Sequence, residues 1–517
     1  MNLPRLPLYV SALSCLTFLS CTSTASRTAA PAAPPRADTV PAEQGGFEPP
    51  GDSAPAAQGE LPFPEASDTL SWDVAYAGPE SAADLEASHR PDSSKGQPNA
   101  NARPHLAQAL PPVSRPEGIR QKTRPRDLPD RVHVLLFRSP KPLSLYSLGE
   151  MQVMAEGVSD NAGNKNATLA KLAQLKGRFV IRRSGGAFLV DQGGKTVATH
   201  VARRLRLISV NPYNLIDVGT GVYRGGMHII AEADGQIAAV NVLGVEDYLR
   251  GVLPYELGNI DREGLEALKA QAIVARTYAY KRMLHAPNAD FHLYSDVQDQ
   301  VYKGVRGEYL LSDRAVWETR GMAVTYNDSL AQCYYFSTCG GRTASKHEVW
   351  GGDSIAYLVS RPDSDAMGDP FCQNSKYMSW TQEWSQPQLA GILKRNLRSA
   401  GVPDYPSFSS IANVTVSQRA SCGRARVLTI QTDRGPITVK GDKTRWALRP
   451  SASDDKIMPS SWFSVKAGGG KISVQGKGFG HGVGMCQMGA IARSKANQNF
   501  VQIIRAYFLG VDVVEFR

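Results

Sequence analysis

The sequence predicts an α+β fold: a mainly β body with one long embedded helix and a glycine-rich loop, joined to a smaller β-rich flanking or inserted domain. Three observations carry that class. From Val132 onward, VHVLLF, GRFVIRR, AFLV, LRLISV and HIIAEADGQIAAVNVL alternate apolar with polar residues between Gly, Asn and Pro, the pattern of short strands and turns. DREGLEALKAQAIVARTYAYKRML then breaks the alternation. Near the C-terminus, GKGFGHGVGMCQMGA sets Gly at 476, 478, 480, 482 and 484 around His481. So many glycines suit tight or positive-φ backbone, or close approach of another chain segment.

With 517 residues, 42% hydrophobic and 21% charged, the chain has ample material for buried cores, and about 150 residues per domain implies roughly three units. No run approaches the roughly 20 apolar residues of a membrane-spanning helix; the longest candidate runs from Leu6 to Leu19. An excess of 58 Lys and Arg over 48 Asp and Glu gives +10 without a long basic run. That balance favours an anionic partner. No aromatic-and-basic readout motif is present, so no nucleic acid is expected.

Arg5, an apolar stretch ending in Phe18 and Leu19, then Ser20 and Cys21 read as an export signal over residues 1–21. A cysteine in that place fits a lipoprotein signal, which anchors a chain at Cys21 without spanning the membrane. Ordinary cleavage near Ala25 or Ala29 is the alternative. Either way the chain faces an envelope compartment. Twenty of the 33 prolines fall within the first 130 residues, mixed with Ala, Ser, Asp and Gly, so residues 22–130 are expected to form a disordered tether. The remaining part divides into a β-rich stretch (131–245), the long helix and its approach (246–327), a second β-rich stretch (328–450) and the glycine loop with a last helix, MCQMGAIARSKA (451–517). Its cysteines, Cys333, Cys339, Cys372, Cys422 and Cys486, are odd in number, so at least one stays free or binds something.

In the long helix, Leu265, Leu268, Ala272, Ala275 and Ala279 recur at steps of three and four, giving one apolar stripe. Asp261, Glu263 and Glu266 stand at its electropositive start. Lys269 and Arg276, seven residues apart, lie about 10 Å apart along the axis and point the same way beside that stripe. Glu256, just ahead of the helix, is crowded by Leu253, Pro254, Tyr255 and Leu257, and desolvation of that kind favours the protonated carboxyl. The glycine loop offers backbone N–H groups and the His481 imidazole. It lacks the Lys-Ser/Thr of a phosphate loop and the βαβ setting of a dinucleotide fingerprint.

The order of VNVLGVEDYLRGVLPYELG, EALKAQAIVARTYAY, DVQDQVYKG, YYFSTCGGRTAS and GKGFGHGVGMCQMGA resembles the stage II sporulation protein D family, also called the SpoIID/LytB or amidase-enhancer family. The likeness runs from near Val132 to the C-terminus. It implies a lytic transglycosylase that cuts peptidoglycan glycan strands stripped of peptides by an amidase, and hence glycan strands and a cell-wall amidase as partners. It also implies that Glu256 is the catalytic acid and base, with Lys269 and Arg276 beside it. Two cations near a crowded carboxyl suit a sugar bearing a lactyl carboxylate. Gln298, Tyr302 and Asp296 are expected to line the sugar groove with His481. A non-catalytic glycan-binding enhancer of an amidase is the alternative.

Some members of the family bind zinc through a His and two Cys near YYFSTCGG. Phe336 and Cys339 depart from the usual His and Ser there, so no metal or other cofactor is expected, with zinc as the alternative. Cys333 and Cys339 are expected as a disulfide or as buried thiols, and Cys486 as a small buried hydrophobe.

Overall fold

The structure, a computed structural model, describes residues 116–158, 168–451 and 456–517. The export signal, Cys21 and most of the expected tether lie outside the described residues. The helices are α1 (Val245–Leu257), α2 (Leu265–His285), α3 (Leu310–Glu318), α4 (Lys346–Trp350), α5 (Gln386–Asn396), α6 (Thr444–Ala447), α7 (Gln487–Lys495) and α8 (Phe500–Tyr507). Among the described residues, no helix is long and apolar enough to cross a membrane.

An eleven-stranded sheet dominates. Its main path runs Leu293–Tyr294, Val132–Ser139, Ile237–Leu243, Gly226–Ala231, Arg204–Ser209, Leu143–Val158, Thr168–Ser184, Ala187–Gln192 and Lys195–His200. Neighbours on this path are antiparallel except Leu293–Tyr294, which runs parallel to Val132–Ser139. Every residue of Ile237–Leu243 is buried. The alternation of a strand explains how: Ile237, Ala239 and Leu243 enter the main core, while Ala238 and Val240 join Leu135 and Ile230 in a small cluster on the other face. This strand delivers the chain into α1.

The expected tether is corrected at its end. Ile119–Lys122 is a strand, parallel to the C-terminal strand Asp512–Phe516, which in turn pairs antiparallel with Met322–Tyr326. Arg120 also bonds to Asp512. This strand lies inside the proline-rich texture, with Pro125 and Pro129 still to follow it.

The long helix forms as expected, beginning after a 3₁₀ turn over Arg262–Gly264 that Asp261 caps. Its environment differs from a single stripe. Ala267 through Thr277 are all buried, so the helix is enclosed on every side along its middle. The last helix also differs: α8 follows α7, opened by a capping box of Asn499 and Gln502. In the stretch expected to be β-rich, Ser385 and Gln388 cap α5 in the same way. The cores divide that stretch elsewhere than at residues 328 and 450. Ala331 through Leu358 contribute to the main core, and a separate core gathers side chains from Trp384 to Val474.

The glycine loop packs between these cores. Gly478, Gly480, Gly482 and Gly484 all take positive φ, open to glycine at little cost. At Gly484 (φ 81°) a Cβ would lie 2.2 Å from the Tyr334 carbonyl oxygen, whereas at Gly469 (φ 59°) it would meet nothing. Gly484→Ala should therefore destabilise the protein clearly more than Gly469→Ala, which bears only the backbone cost of about 1–2 kcal/mol. Urea unfolding of the two variants measures the difference; equal losses would contradict this packing.

Candidate active site

Gly244 turns the buried strand into α1, and the helix ends where Gly258 takes φ 80° and donates its N–H to the Pro254 carbonyl at 3.1 Å. Glu256 occupies that last turn. Only 6% of it is exposed, and its Oε1 accepts the Val301 N–H at 2.8 Å. The carboxyl thus sits against the loop that the sequence marks as DVQDQVYKG.

The neighbouring Gln300 is buried and joins three elements. Its Oε1 accepts from the Tyr248 hydroxyl of α1 at 3.0 Å. Its Nε2 donates to the Tyr335 hydroxyl at 2.9 Å and, more distantly, to the Ala275 carbonyl of α2 at 3.4 Å. Tyr335 lies on a strand parallel to Met485–Cys486, and its carbonyl accepts from His481 Nε2 at 3.1 Å. A continuous chain of bonds therefore links Glu256 to His481. Around the imidazole stand Trp350 at 4.9 Å, Phe336 at 5.3 Å and Tyr334 at 6.3 Å between ring centres. Trp350 is 36% exposed and offers an apolar face of the kind that sugar rings stack on.

Each expected site residue has a definite place. His481 stands at the far end of this chain of bonds from Glu256, and both its nitrogens are engaged, Nδ1 accepting the Val483 N–H at 3.1 Å. Burial pushes its pKa down to about 4, so the ring is neutral. Several backbone donors of the glycine loop are also engaged. Gly478, Phe479, Gly480 and Met485 donate to the carbonyls of Tyr377, Thr338, Pro459 and Tyr334. Tyr302 is interior, its hydroxyl donating to Asn241 Oδ1 at 2.8 Å. Gln298 is exposed, held in a turn that the Asp296 carboxylate makes with its N–H at 2.9 Å. Between Gln298 and Gln300, Asp299 is nearly enclosed, accepting from the Tyr278 hydroxyl at 2.6 Å and the Tyr294 N–H at 2.8 Å. Burial raises its carboxyl pKa despite the opposing charge of Arg282.

The two cations are corrected most strongly. Lys269 Nζ lies 2.7 Å from Glu318 and 2.8 Å from Glu266. Arg276, fully buried, grips Glu246 at 3.0 and 2.5 Å and reaches the carbonyls of Met322 and Val316 at 3.2 and 3.4 Å. Their charges are neutralised inside the fold. Glu246 and Glu256 stand ten residues apart on α1, about 15 Å along its axis, so Arg276 is held at the opposite end of α1 from the carboxyl it was expected to assist.

Cys333 and Cys339 form no disulfide; the described cysteines are all free and buried. Cys339 instead meets Cys372 and Cys486, the three sulfurs lying within 4.8 Å of one another. No spacing in the sequence signals that meeting.

A family model described as stage II sporulation protein matches residues 233–326, the stretch that holds α1, α2, α3 and Glu256. A second, described as a domain of unknown function, matches 369–484, bracketing the separate core. An uncharacterized protein of Brachyspira hyodysenteriae is 32% identical over 295 residues, 57% of this chain and 73% of that protein. Stage II sporulation protein D of Bacillus subtilis is 27% identical over 54% of this chain and 76% of its own length. The chain belongs to the stage II sporulation protein D family. The amidase enhancer of Bacillus subtilis is 28% identical over 302 residues, and this chain spans 40% of that relative's length.

The pairing of Arg276 has an asymmetric consequence. Glu246 is 40% exposed at its side chain and Arg276 not at all, so removing the acid strands a buried cation whereas removing the cation leaves an acid that water can reach. Glu246→Gln is expected to cost about 3 kcal/mol, and Arg276→Met, which keeps the apolar volume, less than half of that. Urea unfolding gives the order; the reverse would overturn it. The depressed His481 has a signed effect too. Between pH 6.5 and about 4 the unfolded chain takes up a proton that the folded ring refuses, so stability falls as pH drops through that window. His133 and His228, lowered to about 4 and about 3 by burial, act in the same sense. His481→Gln should flatten this decline in thermal unfolding measured from pH 7 to 4, without abolishing it.

Proposed function

We propose that this family member is a lytic transglycosylase, cleaving MurNAc–GlcNAc bonds of peptide-stripped peptidoglycan strands and leaving 1,6-anhydroMurNAc ends, with Glu256 as acid and base. The observation that carries this reading is the seat of Glu256: a buried carboxyl, fixed by a backbone N–H at the end of α1, within one bonded network of an aromatic patch fit to stack on sugars. As general acid, Glu256 gives its proton to the bridging oxygen while positive charge develops at the anomeric carbon. As carboxylate, it then takes the proton of the muramoyl O6 hydroxyl, whose oxygen closes on that carbon. The nucleophile belongs to the substrate, so no second carboxylate has to activate water.

In this reading Gln300 and Tyr335 position the site, and Lys269 and Arg276 hold α2 against α1 and α3 without gripping the lactyl carboxylate. The chain works in the cell envelope, exported and anchored at Cys21 as a lipoprotein facing the periplasm, after a cell-wall amidase has removed the peptides. The second reading, a non-catalytic glycan-binding enhancer of such an amidase, draws on the internal pairing of both cations and on the relative named amidase enhancer.

Incubation with amidase-treated glycan strands separates the two. Mass spectrometry should find 1,6-anhydro ends, and Glu256→Gln should lower their rate of formation by about 10²–10⁴ with circular dichroism unchanged. Glycan binding without anhydro products would favour the enhancer.

A further inference from the structure

Cys339, Cys372 and Cys486 come from three distant segments: the turn after Tyr335–Phe336, the loop after Pro370, and the residue that caps α7. All are buried, at 0%, 1% and 0% exposure. The sulfurs of Cys339 and Cys372 lie 3.5 Å apart, and all three fall within 4.8 Å of one another. Ligands at about 2.3 Å from a tetrahedral zinc hold their sulfurs roughly 3.8 Å apart, so this triangle has the dimensions of a metal site.

A carboxylate lies beside this triangle: Asp363 Oδ2 accepts from the Cys339 sulfur at 3.2 Å. The carboxylate is oriented from behind: Oδ1 accepts from Arg493 Nη2 at 2.9 Å and Nε at 3.2 Å, and the Tyr507 hydroxyl lies 3.0 Å from Oδ2. Backbone donors point at the sulfurs. Gly341 N–H meets Cys339 Sγ at 3.2 Å, while Cys339 and Gly489 N–H groups meet Cys486 Sγ at 3.2 and 3.3 Å. Such donors stabilise thiolates around metals, as does the N-terminus of α7, which Cys486 caps.

We propose that the buried thiols of Cys339, Cys372 and Cys486 form a structural site for one zinc ion, with the Asp363 carboxylate beside it. The ion replaces the thiol protons, which leave to solvent, and ties together the three segments. Because it fixes Met485–Cys486 against Tyr335–Phe336, it also fixes the carbonyl that holds His481. No histidine takes part, and Phe336 is not in the ligand set. All three sulfurs are buried, so the ion's part is to hold the fold. The site is independent of whether Glu256 cleaves glycan.

The full chain, purified from zinc-supplemented culture, should carry one equivalent of zinc by plasma mass spectrometry. Cys372→Ser should carry none, whereas Cys422→Ser, outside the cluster, should keep the full equivalent. Because a ligand variant could fail to fold, the wild-type protein supplies a second measurement. After chelation and exchange with cobalt it should show thiolate-to-cobalt charge-transfer and tetrahedral ligand-field bands, and chelation should lower its melting temperature. Wild-type protein that stays free of zinc when equilibrated with it overturns the proposal. So does peptide mapping that finds Cys339 joined to Cys372 in a disulfide.

Discussion

A helix without a solvent face must neutralise every charge it carries, and α2 carries two along its enclosed middle. Lys269 and Arg276 lie where Ala267 to Thr277 are buried continuously, so each unpaired charge would cost several kcal/mol. The fold answers with acids from both neighbours: Glu246 from α1, Glu318 from α3, and Glu266 from the helix itself. These pairs fix how α1 and α3 sit on α2. They thereby fix where the far end of α1, with Glu256, meets the DVQDQVYKG loop. The cations are as necessary as a catalytic role would make them, but their work is done at a distance through the helix they lock.

The same packing explains which features the sequence made legible. The strands of Val132–Ser139 and Ile237–Leu243 and the helix of Leu265–His285 follow from local periodicity, which tertiary structure did not override. The burial of Glu256 was legible because its crowding begins locally, with the apolar residues beside it in sequence. Lys269 and Arg276 pointed the wrong way because, Glu266 apart, their partners are remote: Glu246 lies 30 residues before Arg276, and Glu318 is on α3. A seven-residue spacing shows that two side chains share a direction; it does not show what waits there. Gln300 was passed over in favour of Gln298 for a related reason. Both are glutamines in one short loop, and only the fold decides that one faces water and the other bridges Tyr248 to Tyr335. The cluster of Cys339, Cys372 and Cys486 spans separations of 33 and 147 residues, beyond any spacing rule.

The glycine loop shows a further division between legible and hidden. Its composition correctly implied positive φ and close approach, and what approaches is the protein itself. Phe336 packs on Gly480, the Tyr334 carbonyl on Gly484, and the Arg424 guanidinium on Gly482. Arg424 is buried and donates toward the carbonyls of Gly480 and Cys339 at 3.3 and 3.4 Å. Trp380 Nε1 donates to the Gly478 carbonyl at 3.0 Å. Both residues come from the stretch matched by the domain of unknown function.

That stretch therefore does more than carry a second core. It supplies the side chains that shape the glycine loop, while the loop's other side pairs with Tyr335–Phe336 and so bears on His481 and Gln300. A perturbation at Arg424 has a short path to the surroundings of Glu256: through the Gly480 carbonyl to the next residue, His481, then to the Tyr335 carbonyl, the Tyr335 hydroxyl and Gln300. Each link is a hydrogen bond, a single residue step or the length of the Tyr335 side chain. The separate core and the site share one wall, and the glycines are what let two backbones and a guanidinium occupy it.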